Sequence, residues 1–382
     1  MASPASAQAQ SYDDMDDSAE IVTCSTNTLG GENGPALCQA LEYVQQLIFP
    51  AFQKADQEAQ KSRKEYQQIS SRAVWFGAAA VIVGIVQFAV PEPVGSLQVS
   101  LDLFEAAAAG VCLFFIWKGV HGEPKEKWLV ARYQAEHLRL LKFKTLTGPD
   151  LWCDESDKND GCDPKRLTPV WQNVDDKVFE LMALDYEQVK ERAGQGIYPD
   201  LVQLRYPPSC YPALAELIRY YCDKRLRTQM NYLATKSKDE KKQGSVWRLL
   251  TRNLFFASFG FVLVHLLLSF IGIFTTLELL PLEKASLVIA AIPPAAVAGI
   301  RSFRASREFE RNALRHRATL DSLEKLSDKM VETNARAEHS GMDEKAKGEI
   351  LGRQLEIVRF CELVLEYDTC EFMRLLSEVE WY

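Results

Sequence analysis

Three signatures of enzymes are missing from these 382 residues: a phosphate-cradling glycine loop, a nucleophile elbow and a His-Glu-x-x-His zinc site. No catalytic residue, cofactor or metal is therefore expected, and the chain is not read as an enzyme. Net positive charge is missing too. At -8 the chain does not suit a general nucleic-acid binder, so no nucleic-acid partner is expected. No secretory leader opens it, which predicts that the nine cysteines are reduced thiols in a cytosolic setting. Cys153 and Cys162 flank Asp154, Glu155, Asp157 and Asp160, but their spacing fits neither a zinc nor a redox pair. The acids also miss the calcium-loop order, leaving an acidic loop.

Charge is scarce in four apolar stretches, Ala73–Val90, Leu97–Trp117, Leu254–Phe274 and Ala285–Ile300. A mean hydropathy of -0.15 hides them behind long charged segments. About 20 helical residues cross the roughly 30 Å hydrocarbon slab, so three of these are long enough to span. The last is short, and spans if Leu279 to Leu282 lie in the interface or its helix runs a little past Ile300. Pro91–Ser96 and a short polar break after Phe274 turn the stretches into two hairpins.

Lys and Arg gather on one side. They precede Ala73, follow Trp117 (Lys118, Lys125, Lys127, Arg132), precede Leu254 and follow Ile300, whereas the two turns hold only Lys284. Both hairpins therefore read as in-out-in, with cytoplasmic termini. Trp75 and Trp117 fall near the same face, at headgroup level. Arg301 to Arg317 add attraction to anionic lipid.

The fold class expected is all-α: an integral membrane protein with four transmembrane helices and long cytoplasmic helices. It divides into a disordered tail (1–35), a first hairpin with inbound and outbound helices (36–147), a connector (148–210), a second hairpin likewise (211–339) and a C-terminal amphipathic helix (340–382). Leu37, Leu41, Val44 and Leu47 predict a helix ending near Pro50. Phe52 to Arg72 reads as a helix polar all round. One helix is expected around Val174 to Arg192. Phe309, Ala313, His316, Leu320, Leu323, Ser327 and Met330 form a heptad seam, which motivates a homo-oligomer.

Within the spans, His265 is a candidate pore or gate residue, or else a neutral imidazole bonded to the next helix. Asp102 and Glu105 share a helix face. They suit an acidic ring in an oligomer or interfacial acids near a helix N-terminus. Pro293 and Pro294 predict a hinge or a fixed bend. Ala80 with Gly84, and Ala106 with Gly110, offer close helix approach. Beside the spans, Arg132 with Glu136 and Arg225 with Gln229 are candidate coupling residues, through local pairing or a ligand-sensing contact between the halves.

Tyr221, Arg225, Leu226, Gln229 and Tyr232, followed by a Lys-rich step into a hairpin, resemble the inbound helix of SLATT proteins, the SMODS- and SLOG-associating two-transmembrane effectors. Phe52, Ala55, Asp56 and Tyr66 resemble the family's other inbound pattern, and Arg132, Ala135, Glu136, Leu138, Arg139 and Phe143 its outbound helix. The resemblance covers roughly residues 50–146 and 211–335. It implies a membrane effector or pore-forming protein answering a nucleotide-derived ligand through its cytoplasmic helices. The chain departs from the simplest family plan in having two hairpins and no recognisable nucleotide-sensing domain. The alternative is a non-conducting scaffold that presents its helical bundle to a cytoplasmic protein partner. Either way, the lipid bilayer is the first partner.

Overall fold

The computed structural model describes residues 14–25, 34–87, 95–148, 151–152, 168–195, 211–274, 280–337 and 343–378. Among them there is no strand. The helices are α1 (Ser18–Ser25), α2 (Gly34–Leu47), α3 (Phe49–Gln87), α4 (Gly95–His121), α5 (Pro124–Leu146), α6 (Thr168–Met182), α7 (Tyr186–Gly194) and α8 (Tyr211–Tyr220). A π-helical segment (Tyr221–Leu226) follows, then α9 (Arg227–Phe274), α10 (Leu280–Arg307), α11 (Phe309–Ala337) and α12 (Glu344–Glu378). They form two compact units. The first comprises Met1–Lys61, Glu126–Ser237 and Leu314–Tyr382; the second comprises Ser62–Lys125 and Lys238–Ala313. Each change of unit falls inside a helix, namely α3, α5, α9 or α11.

The first unit is a helical bundle. α2 stops one residue before Phe49, and Pro50 takes an early position in α3, where its missing N–H costs nothing. Leu41, Val44 and Ile48 pack with Phe52 on α3, Leu138 and Phe143 on α5, Leu214 on α8, and Leu355 and Val358 on α12. Phe52, Ala55, Asp56 and Ala59 are all buried, so α3 is not polar all round. A small and partly polar stripe at helical spacing suffices there. In place of one helix around 174–192 there are two, α6 and α7. Asp185 and Gln188 close a reciprocal capping box at the start of α7 and divide them.

Two further expectations are corrected. Part of the tail expected to be disordered is folded: Met15, Asp14 and Asp17 are buried and α1 begins at Ser18. It lacks an apolar period because ion pairs, not an apolar stripe, hold it. Of the heptad residues, Leu320, Leu323 and Met330 lie in this unit's own core. Cys38 is disulfide-bonded, whereas Cys112, Cys222, Cys361 and Cys370 are free thiols. The expectation of wholly reduced thiols was a reading of compartment, which says nothing about which thiols fold within bonding reach. The expected turn at Pro91–Val94, the break after Phe274 and the Cys153–Cys162 loop lie outside the described residues.

The second unit carries the membrane character. Among the described residues four helices are long and apolar enough to cross a bilayer, as expected of a multi-pass membrane protein. Large apolar side chains such as Leu103, Phe114, Phe255, Phe259 and Leu266 face outward. The helices are joined by ring contacts, Phe76 with Phe115 at 6.2 Å and Trp75 with Phe303 at 6.3 Å. They are also joined by Cys112, whose Sγ donates to the Ala73 carbonyl at 3.3 Å. A Cβ on Gly299 would stand 3.0 Å from that of Ala78, so α10 approaches α3 closely there. Of the glycines singled out in the sequence, Gly84 lies under the Glu105 carboxyl and Gly110 meets nothing. At the α4–α5 junction a Cβ on Gly122 would fall 2.7 Å from the Lys118 carbonyl, so only glycine fits this turn before Pro124 opens α5.

Candidate functional site

The most chemically loaded place in the first unit is a buried string of alternating charges. α5 sets Arg132, Glu136 and Arg139 along one stripe at steps of four and three. Arg132 ion-pairs with Glu136, and its other nitrogen lies 3.8 Å from Asp56 on α3. Arg139 Nη1 donates to Glu136 at 2.9 Å, and its Nε stands 3.3 Å from Asp14 Oδ1. The other Asp14 oxygen accepts from Arg225 Nη1 at 2.7 Å and from Gln229 Nε2 at 2.9 Å. Arg225 then forks Glu362 on α12 through Nε at 3.1 Å and Nη2 at 3.2 Å, while the Tyr221 hydroxyl donates to Glu362 at 2.7 Å.

Local structure explains how so many ions share one interior. The π-helical turn adds a residue to its coil, and both Tyr221 and Arg225 lie buried on it; such turns are frequent at functional sites. Aromatic faces complete the surroundings, with Arg225 4.9 Å over Phe143 and Arg139 5.0 Å over Phe52. A side branch leaves from Lys142, whose ammonium donates to the Asp14 carbonyl at 2.8 Å and pairs with Asp17 at 2.8 Å. Asp17 also accepts from the Tyr220 hydroxyl at 2.6 Å.

Electrostatics follow from this packing. Burial alone would raise the Asp14 pKa, but the Arg139 and Arg225 guanidiniums hold it below the usual carboxylate value. Glu136 is likewise lowered against burial, by Arg132 and Arg139. The side branch is different. Burial outweighs the partner, raising Asp17 and lowering Lys142. A string of this kind contributes little net stability, because desolvation offsets the Coulomb gain, yet it penalises any arrangement that breaks one link.

All the coupling residues expected from sequence are therefore together: Arg132, Glu136, Arg225 and Gln229 belong to one network, joined through Arg139 and Asp14. Arg225 and Gln229 do not pair with each other but share Asp14. Sequence reasoning missed Asp14, Asp17, Lys142 and Glu362. Lys142 had a weak signal, lying between Leu141 and Phe143 in an apolar part of α5. Among the described residues no cluster of His, Cys, Asp and Glu is suited to a metal ion.

In the second unit the span candidates differ in their surroundings. His265 Nδ1 lies 2.9 Å from the Ser286 hydroxyl on α10. Pro293 and Pro294 both sit inside α10, which runs through them. Pro294 lacks the N–H that would serve the Ala290 carbonyl, and Ser258 on α9 donates to that carbonyl at 3.0 Å. Asp102 is exposed, whereas Glu105 is half-buried over Gly84. Set beside known proteins, the chain matches no family model, no curated protein and no solved structure.

Proposed function

We propose that this chain is a membrane effector of the SLATT kind, in which a buried ionic network in the helical bundle governs the state of the spans. The observation supporting this reading is that α3 and α9 each carry a member of the network, Asp56 and Gln229, on the same unbroken helix that continues into an apolar span. A change at Asp14 or Glu362 is then a change in how those helices are held. An anionic, nucleotide-derived ligand would compete for the Arg139 and Arg225 guanidiniums, which prefer phosphate and carboxylate alike. The basic flanks of the spans support a cytoplasmic position for the bundle. Overexpression with a dye-leakage readout tests the reading. Wild type is expected to leak on stimulus, and Asp14→Asn is expected to leak without it. Vesicles that stay tight with both proteins, while growth is normal, sink it.

A second reading, a non-conducting scaffold binding a protein partner, is favoured by the second hairpin itself. Its polar side chains Ser258 and His265 are spent on α10, and its outward face is apolar. On this reading His265→Leu leaves vesicle permeability unchanged and the bundle retains a partner in pull-downs.

A further inference from the structure

One stripe of α3, Lys64, Gln67, Gln68, Ser71 and Arg72, follows helical spacing just before the first apolar run and contains no acid. The opposite stripe, Ser62, Tyr66, Ile69, Ser70 and Ala73, is buried. Arg307, the last residue of α10, completes the lining of an open, shallow cavity of about 280 Å³ over the polar stripe. None of Lys64, Arg72 and Arg307 makes an ion pair among the described residues. Glu308, next in the chain, is engaged by Arg311 at 3.4 Å. Burial and the nearby Arg63 lower the Arg307 pKa, so this cation is held half-buried with like charge beside it. The backbone adds a further sign, because Glu308 has φ 47, a left-handed conformation uncommon for a residue with a side chain.

We infer that this cavity is a binding site for a phosphate monoester, three cations and three neutral hydrogen-bonding side chains being the chemistry that group requires. Its position assigns the source. The cavity lies where one span begins and another ends, and the Arg307 guanidinium stacks 5.4 Å over Phe303. That ring meets Trp75 at 6.3 Å and Trp247 at 5.0 Å, an aromatic cluster of the sort found at headgroup level. The occupant is therefore an anionic lipid headgroup, as in phosphatidic acid.

The full chain in mild detergent, mixed with phosphatidic acid or phosphatidylcholine and examined by native mass spectrometry, tests this. Wild type should retain phosphatidic acid selectively. At about 1 kcal/mol per charge, Arg307→Gln and Lys64→Gln should each weaken retention about fivefold, and together about thirtyfold. Arg301→Gln removes an exposed charge outside the cavity and should change it less than about twofold. Equal losses from Arg301→Gln and Arg307→Gln would reduce the site to general surface charge. Unaltered retention by the double variant would overturn it, and because Lys64 is exposed its substitution tests the site without threatening the fold. Inorganic phosphate that displaces phosphatidic acid from wild type at millimolar concentration would assign the cavity to a soluble phosphate and overturn the lipid source.

Discussion

The two units invert one another. In the bundle, some of the most deeply buried side chains are ions: Arg225 and Lys142 are fully enclosed, and Asp14, Asp17 and Glu362 with them. In the span-bearing unit, Phe255, Phe256, Leu263 and Leu267 face outward and Ser286 is buried. The second pattern is what a hydrocarbon solvent selects, since a polar group has nowhere to go but toward another helix. The first is not selected by stability, because apolar residues would pack as well. The contrast is that polar groups in the spans are bonded to the next helix, while the buried ions of the bundle penalise any arrangement that breaks one link.

The largest effect should come from breaking the bundle's string at its centre. Arg225→Met leaves Asp14 and Glu362 buried without their fork, which costs about 3–5 kcal/mol. For a unit of this size the loss is expected as a fall of roughly 10 °C in Tm, followed by circular dichroism in mild detergent. Adding Asp14→Asn and Glu362→Gln removes the stranded charges and should restore part of the loss. If the triple variant is no more stable than the single, the string is not electrostatically coupled.

How far this contrast was legible in the sequence differs between the units. Apolar runs need only composition, so the four candidate spans were readable outright, and so was the helical spacing that places Arg132 with Glu136. The ionic string was readable only in part. Asp14 and Glu362 are more than 340 positions apart in the chain, and nothing local marks a carboxylate as buried rather than solvated. The π-helical turn was invisible because Tyr221–Leu226 fits an ordinary helical pattern. His265 was legible as a polar residue in a span, but its partner Ser286 was just one of several small polar residues on the facing helix.

A weaker effect separates the units by pH. His137 stacks on Tyr133 at 3.9 Å, and its buried Nε2 has no hydrogen-bond partner among the described residues. Burial, helped by Lys144, pushes its pKa down to about 4, from 6.5 for a free imidazole. The unfolded chain therefore binds a proton between pH 6.5 and 4 that the folded chain refuses. Stability is full above pH 6.5 and is lost as pH falls through that window, by roughly 2 kcal/mol once residual solvent contact is allowed for. His137→Phe keeps the ring contact and removes the titration. Its Tm should vary less than that of wild type between pH 7 and 5, and an identical slope would exclude His137 as the cause.

The smallest effect sharpens the other side of the comparison. Pro294 leaves the Ala290 carbonyl without its helical donor, and the Ser258 hydroxyl supplies one from α9 at 3.0 Å. If span polar groups act as fasteners, Ser258→Ala should cost about 1 kcal/mol, because the carbonyl has no water to turn to. Pro294→Ala restores the N–H that serves Ala290, so the double variant should recover most of that loss while either change alone does not mimic it. The pairing is read as non-additivity in a double-mutant cycle of thermal unfolding in detergent. Strict additivity would mean that the Ser258 hydroxyl is accidental, and that packing alone, at places such as the Gly299–Ala78 approach, holds α10 in place.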